Sequence, residues 1–288
     1  MKLTIFTPTY NRAYLLPQLF ESLQRQNKKG FEWLIVDDGS TDNTRELIND
    51  LANQADFKIH YYYQENQGKH VAINTALQHI DTPYFATVDS DDYLEDNAVE
   101  IIFSKLSLID HSKNIVALAS PIKILNKDIQ GKIITVNTVS TTYEMIYKHK
   151  IHGEATLIFK TELARRFEYP TFSGEIFMLE SVVFNRMDEM YKFLYIPESL
   201  VNAEYIPDGL TSQGRKKLLD NPKGAALAYK EKMNNSKIPL ENRKIFAKNY
   251  WDYENMTNKS FTSKIIKIKG VMIKFYMIAF FLKRLFSK

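Results

Sequence analysis

The chain has 288 residues, 44% of them hydrophobic, and Lys and Arg outnumber Asp and Glu by four. That length suits one large α/β domain or two small ones, and the apolar content excludes wholesale disorder. The sequence holds no cysteine, which excludes disulfides, thiolate metal sites and cysteine nucleophiles and suits a cytoplasmic location.

From the first residue the pattern is one of alternation. Met1–Thr7 lacks a basic stretch followed by a long apolar one, so it reads as a strand and not as a secretory signal. β-rich runs fall at Leu3–Pro8, Glu32–Val36, Lys58–Tyr63, Tyr84–Val88 and Ile115–Ala119. Helical periodicity falls between them, at about 14–27, 42–54, 68–80 and 95–110, as in the spacing of Leu15, Leu16, Leu19, Phe20 and Leu23. Strand–helix alternation predicts an α/β fold: a Rossmann-like, mostly parallel sheet with helices on both faces.

Beyond residue 120 the pattern is mixed. Ile122–Leu125 and Lys132–Val136 flank Asn126–Gly131 and predict a hairpin. Helices are expected at 141–149, 161–167, 176–190 and 222–233, and a strand at Phe193–Ile196. We read 1–120 and 121–235 as two halves of one domain, and 236–288 as a helical appendage. Residues 264–288 hold seven Lys or Arg and no acid, against +4 for the whole chain, which leaves residues 1–263 at −3. A nucleic-acid binder would spread basic charge over its body, so no nucleic-acid partner is expected.

Four polar clusters follow predicted strands: Thr7–Arg12, Asp37–Asp42, Asn66–His70 and Asp89–Asp92. In an open α/β sheet the carboxyl ends of the strands form the ligand crevice, so the four clusters should converge there. Asp89-Ser90-Asp91-Asp92 packs three carboxylates into four residues. They repel unless a cation or protons neutralise them, and Mg²⁺-like cations prefer such oxygens; acids capping the next helix, Asp92 above all, are the alternative. An EF-hand loop is excluded because its sixth position would be Leu94, where glycine is required.

Asp37-Asp38 ends a buried strand, where a carboxylate could accept a hydrogen bond from a nucleobase imide. Gly39 permits a tight turn, and Ser40–Asp42 can cap a helix. Gly68-Lys69 opens a helix, which favours a phosphate. It is not a P-loop, no G-x-G-x-x-G occurs, and no histidine pairing supports zinc. His70 reads as a packed or capping residue.

In that order and spacing the four clusters resemble the family-2 inverting glycosyltransferases with the GT-A fold. The resemblance implies that Asp91 is the main metal ligand, for Mn²⁺ or Mg²⁺, and that Asp89 touches ribose and metal. It implies that Asp38 reads the base, and by the same resemblance that base is the uracil of a UDP sugar. Thr7, Pro8, Thr9, Tyr10, Arg12, Lys69 and Ser90 complete the nucleotide-sugar site. An inverting transfer needs a general base for the acceptor hydroxyl. The family's Glu-Asp pair corresponds here to Glu180-Ser181, which implies Glu180 as the base with Glu175 in reserve. His152–Ala155 and Asn221–Gly224 resemble a bacterial subgroup that builds surface polysaccharides, with Glu154 either touching acceptor sugar or merely following the turn at Gly153. Expected partners are a nucleotide-sugar donor and a glycan or lipid-linked acceptor.

A non-catalytic sugar-nucleotide or glycan-binding protein is the competing reading, favoured only by Ser181. A sugar-1-phosphate nucleotidyltransferase would need a glycine-rich loop where Thr7–Tyr10 stands. The longest uncharged apolar run of the tail, Phe275–Leu282, falls far short of the ~20 residues that span a bilayer. A basic, aromatic-rich helix instead suits the anionic inner face of the cell membrane, the alternative being a terminal helix packed on its own domain or in an oligomer.

Overall fold

The computed structural model describes residues 2–125, 132–204, 214–257 and 259–286, with side chains up to residue 281. The first half alternates as expected: β1 Leu3–Thr9, α1 Leu16–Gln24, β2 Phe31–Asp37, α2 Thr44–Gln54, β3 Lys58–Tyr63, α3 Lys69–His79 and β4 Tyr84–Thr87. The short β5 Asp92–Leu94, α4 Ala98–Leu106 and β6 Ile115–Ile124 follow. Then come β7 Thr138–Ser140, a π-helix at Glu144–His149, β8 Ala155–Lys160, α5 Thr161–Ala164, α6 Ser181–Met187, β9 Lys192–Tyr195 and β10 Val201–Ala203. Helices close the chain: α7 Gly214–Asp220, α8 Pro222–Asn234, α9 Leu240–Met256, α10 Phe261–Ile266 and α11 Val271–Phe286.

β1 is wholly buried because it lies between β2 and β4 and is covered on both faces. Leu3 and Ile5 join Trp33, Ile35 and the α1 residues Leu16, Leu19, Phe20 and Leu23 on one face. Phe6 joins Leu34, Val36 and the α3 residues Ala72, Ile73, Ala76 and Leu77 on the other. This is the period-2 alternation of a strand feeding two separate cores. The order is β3-β2-β1-β4-β8-β6-β10-β5, parallel from β3 to β4.

β8 was not expected. It runs antiparallel between β4 and β6 and joins the two halves. Its amino end, with Glu154 just ahead of it, therefore lies on the edge to which β1, β2, β4 and β6 send their carboxyl ends.

Several expectations are corrected. The hairpin does not form: Ile122–Ile124 pairs in parallel with β10, Lys132–Val136 is not a strand, and β7 pairs with β9. Asn126–Gly131 lies outside the described residues. The helix expected at 141–149 is a π-helix over its last six residues. The helix expected at 176–190 covers only Ser181–Met187, because the N–H groups of Ile176 and Phe177 are drawn to the Asn221 side chain. Asp92 does not cap a helix: it sits in β5 opposite Ala203, and α4 starts after Asn97.

The appendage packs Ala247, Tyr250, Trp251, Ile268, Ile273 and Met277 on Ala226 and Met233 of α8, so it shares a core with the preceding segment. Two of the tail's basic residues are engaged there. Lys264 is buried and donates to Asn255, and Lys267 pairs with buried Glu254. Among the described residues no helix is long and apolar enough to cross a membrane.

Candidate functional site

The rim begins at the end of β1. Thr7, Pro8 and Thr9 are enclosed by neighbouring strands, and the Thr7 hydroxyl accepts from the Trp33 indole at 3.0 Å. The Thr7 side chain thus faces the core, and Tyr10, 46% exposed, is the first residue of the cluster to face solvent. Asn11 sits in the left-handed region at φ 52°, which Asn tolerates. Its carboxamide oxygen accepts from Thr41 N at 2.7 Å, and its own N–H donates to the Ser40 hydroxyl at 2.8 Å. Asp42 accepts from Ala13 N and from Thr44 N, each at 3.1 Å. The loops after β1 and β2 are thus laced to one another.

Asp37 accepts from Ser40 N at 2.8 Å and from the Tyr61 hydroxyl at 2.7 Å. Asp38 is buried and accepts from the Gln64 side chain at 2.7 Å, Gln67 N at 2.9 Å and Gly68 N at 2.7 Å. Burial raises its pKa, and those three hydrogen bonds oppose the rise. The acid expected to read the base therefore also ties the end of β2 to the start of α3.

Gly68 holds φ +95°, and a Cβ there would lie 1.8 Å from the Ile176 carbonyl oxygen. The segment leading to α6 thus crosses directly over the start of α3. This crossing brings Glu180, at the head of α6, to Lys69. The Lys69 ammonium is 2.7 Å from Glu180 Oε1 and 2.7 Å from both carboxylate oxygens of Asp89. Burial opposes the charge on Lys69, but these two acids hold its pKa well above the ordinary value.

Asp91, Asp92 and Glu154 gather around the same point. Burial and then the charge of Asp89 raise Asp91, with Arg12 and Lys69 opposing. Burial, Asp89 and Asp91 push Asp92 up to about 8. Glu154 is raised by burial and by Asp89. Asp89 Oδ1 is enclosed, with the Lys69 ammonium 2.7 Å from it. Carboxylate oxygens that the fold crowds together in this way are the hard donors a divalent cation prefers. Among the described residues no three acids or histidines are arranged as a ready-made metal cage. A cation on Asp89 and Asp91 would take its other oxygens from a diphosphate and water, as Mg²⁺ commonly does.

Glu175 is occupied elsewhere. Its two oxygens accept from Lys223 N and Gly224 N, each at 2.8 Å, and so cap α8. Asn221–Gly224 is therefore the seat of α8 on the 175–177 segment. The Asn-Pro step at a helix start was the sequence signal for it. His70 is buried, in keeping with its reading as a packed residue, and burial lowers its pKa. Gln64 and Tyr61 were not singled out in the sequence. Only their positions at and just beyond the end of β3 hinted that they meet Asp38 and Asp37.

A family model described as "Glycosyl transferase family 2" matches residues 4–176. The chain is 36% identical over 105 residues to "Glycosyltransferase GlyA" of Streptococcus pneumoniae, covering 36% of this chain and 15% of that protein. It is 26% identical over 188 residues to the GalNAc(5)-diNAcBac-PP-undecaprenol beta-1,3-glucosyltransferase of Campylobacter jejuni, covering 60% of this chain and 57% of that protein. The chain thus spans less than two thirds of either relative. Among solved structures, residues 1–349 of Staphylococcus aureus TarS in complex with UDP-GlcNAc superpose with TM-score 0.63 at 18% identity, over 93% of this chain and 76% of that one. The Pyrobaculum calidifontis mannosyltransferase PcManGT in complex with GDP-Man and Mn²⁺ superposes with TM-score 0.58 at 16% identity, over 100% and 88%. At those identities the likeness shows the fold, a GT-A fold.

Proposed function

The chain belongs to glycosyl transferase family 2, and from that premise we propose that it moves a sugar from a nucleotide sugar, a UDP sugar first, to an acceptor hydroxyl with inversion. The observation that carries this reading is the meeting of Asp89, Asp91 and Glu180 around Lys69 at the carboxyl edge of the sheet. Tyr10, Arg12, Asp38 and Ser90 lie on or beside that rim and would hold the nucleoside and sugar. Asp89 and Asp91 would hold Mn²⁺ or Mg²⁺, whose bound charge supplies Lewis-acid stabilisation to the departing diphosphate.

Glu180 is the base. Its carboxylate takes the proton of the acceptor hydroxyl while that oxygen bonds to the anomeric carbon and the nucleotide leaves with the bonding pair. Glu175 is less suited because two backbone N–H groups already engage it. Glu180→Gln is expected to abolish transfer from a donor panel with Mn²⁺ while nucleotide affinity stays nearly unchanged. Full activity of that variant would remove Glu180 from the role. Metal-dependent release of nucleotide from none of the donors would favour the glycan-binding alternative.

The synthesis of a surface polymer is the setting that the relatives support, one of them named for a PP-undecaprenol substrate. A lipid-linked acceptor would explain the tail. Ile266 at the end of α10 and Val271, Met272 and Phe275 of α11 are 75%, 67%, 66% and 70% exposed, while Ile273 and Met277 of α11 are buried. Lys248 lies over Tyr276 and Phe280 along one flank, with Lys244 over Tyr276. An apolar face edged by cations suits the anionic inner surface of the cell membrane. Glutamate at Met272 and Phe275 together is expected to release the protein from anionic liposomes without lowering its Tm. Unchanged binding would remove the membrane from this reading.

A further inference from the structure

Lys69 is an odd residue to find at the first position of a helix. The helix N-terminus carries partial positive charge, which disfavours a cation. Lys69 is nonetheless largely enclosed, its side chain 21% exposed, because two carboxylates on different elements grip it. Asp89 comes from the end of β4 and Glu180 from the head of α6, 91 residues later in the chain. The crossing over Gly68 makes that contact possible.

Each half of this bridge resembles a contact that the donor would make. At Asp89 the ammonium stands where a divalent cation would stand. At Lys69 the two carboxylates stand where phosphate oxygens would stand, beside a helix N-terminus that also favours an anion. We propose that Lys69 is a positioning residue that works by partner exchange, an inference that rests on the donor-site reading above. In the donor-free protein Lys69 neutralises Asp89 and holds Glu180. With donor and cation bound, Asp89 would hold the cation and Lys69 would pair with the diphosphate. Glu180 is then left without its cation and accessible to an acceptor hydroxyl.

The exchange replaces every ion-pair partner except that of Glu180. One ammonium–carboxylate contact at Asp89 is replaced by a metal–carboxylate contact, and the contacts at Lys69 are replaced by ammonium–phosphate contacts. Only Glu180 ends unpaired, so donor binding frees the base. No proton or electron moves in the exchange itself.

The test is a double-mutant cycle on Tm in the full chain, using Lys69→Met, Glu180→Gln and the double variant. It is run without ligand and again with Mn²⁺ plus UDP, then with Mn²⁺ plus GDP. Without ligand the two substitutions are expected to be non-additive by about 2 °C. With a stabilising Mn²⁺–nucleotide pair bound they are expected to be additive, because the pair no longer exists. Equal coupling in both states, or none in the free protein, overturns the exchange while leaving the donor site intact. A wild-type protein that neither nucleotide stabilises with Mn²⁺ overturns the donor-site reading and the exchange with it. Should Lys69→Met fail to fold, Lys69→Gln closes the cycle instead.

Discussion

Two stretches of one rim treat their acids in opposite ways. Around the ends of β1 and β2, Asp37, Asp38 and Asp42 each accept hydrogen bonds from named donors within the protein. Around the end of β4, Asp89, Asp91, Asp92, Glu154 and Glu180 face one another, with the charges of Lys69 and Arg12 near them. The first stretch is complete as folded. The second crowds its carboxylates, and burial together with neighbouring negative charge raises the pKa of Asp91, Asp92 and Glu154. Crowding of that kind persists where the surrounding fold enforces it, and it marks the place that an external cation would complete.

The comparison can be broken most severely at Gly68, where the two stretches join. Gly68→Ala sets a Cβ against the Ile176 carbonyl and is expected to cost about 4 kcal/mol or more, enough to prevent folding. A soluble variant with a wild-type urea midpoint would show that the crossing can move aside.

Next in size is Asp91→Asn. It relieves like-charge crowding, so the fold is expected to keep or gain stability while sugar transfer falls about 10³-fold. Transfer and urea unfolding measured on the same preparation separate the two effects. A loss of both would place Asp91 with the structural acids.

Asp38→Ala should behave in the opposite sense. It strands Gln67 N and Gly68 N, and stability is expected to drop by about 2 kcal/mol in urea unfolding. An unchanged midpoint would show that Asp38 is kept for ligand and not for the fold. The smallest effect is expected from Asn11→Gly, which preserves the positive φ and removes the acceptor for Thr41 N, the Thr41 hydroxyl and Asp42 N. About 1 kcal/mol should be lost.

The contrast also marks how far the residues alone could be read. The first four strands and the helices among them were legible because buried parallel strands and amphipathic helices write their period into contiguous residues. Gly39 declared a turn by the backbone it permits, whereas the left-handed backbone at Asn11 showed only in the fold. β8 was missed, although Thr156–Phe159 has strand composition, because nothing local states that a strand will insert antiparallel between β4 and β6. The hairpin failed for a related reason: Ile122–Ile124 found a partner in β10, far along the chain.

The two glutamates set the limit most clearly. Glu175 and Glu180 are five residues apart and equivalent as letters, yet one caps α8 through two backbone N–H groups and the other reaches Lys69. The sequence by itself determined the alternation of strands and helices and the four polar clusters at strand ends, since periodicity and turn chemistry act over a few residues. Tertiary structure alone decided which carboxylates are satisfied and which are crowded. A carboxylate's partners arrive from segments tens of residues away, and Coulomb interaction and burial depend on that distance in space and not on distance along the chain.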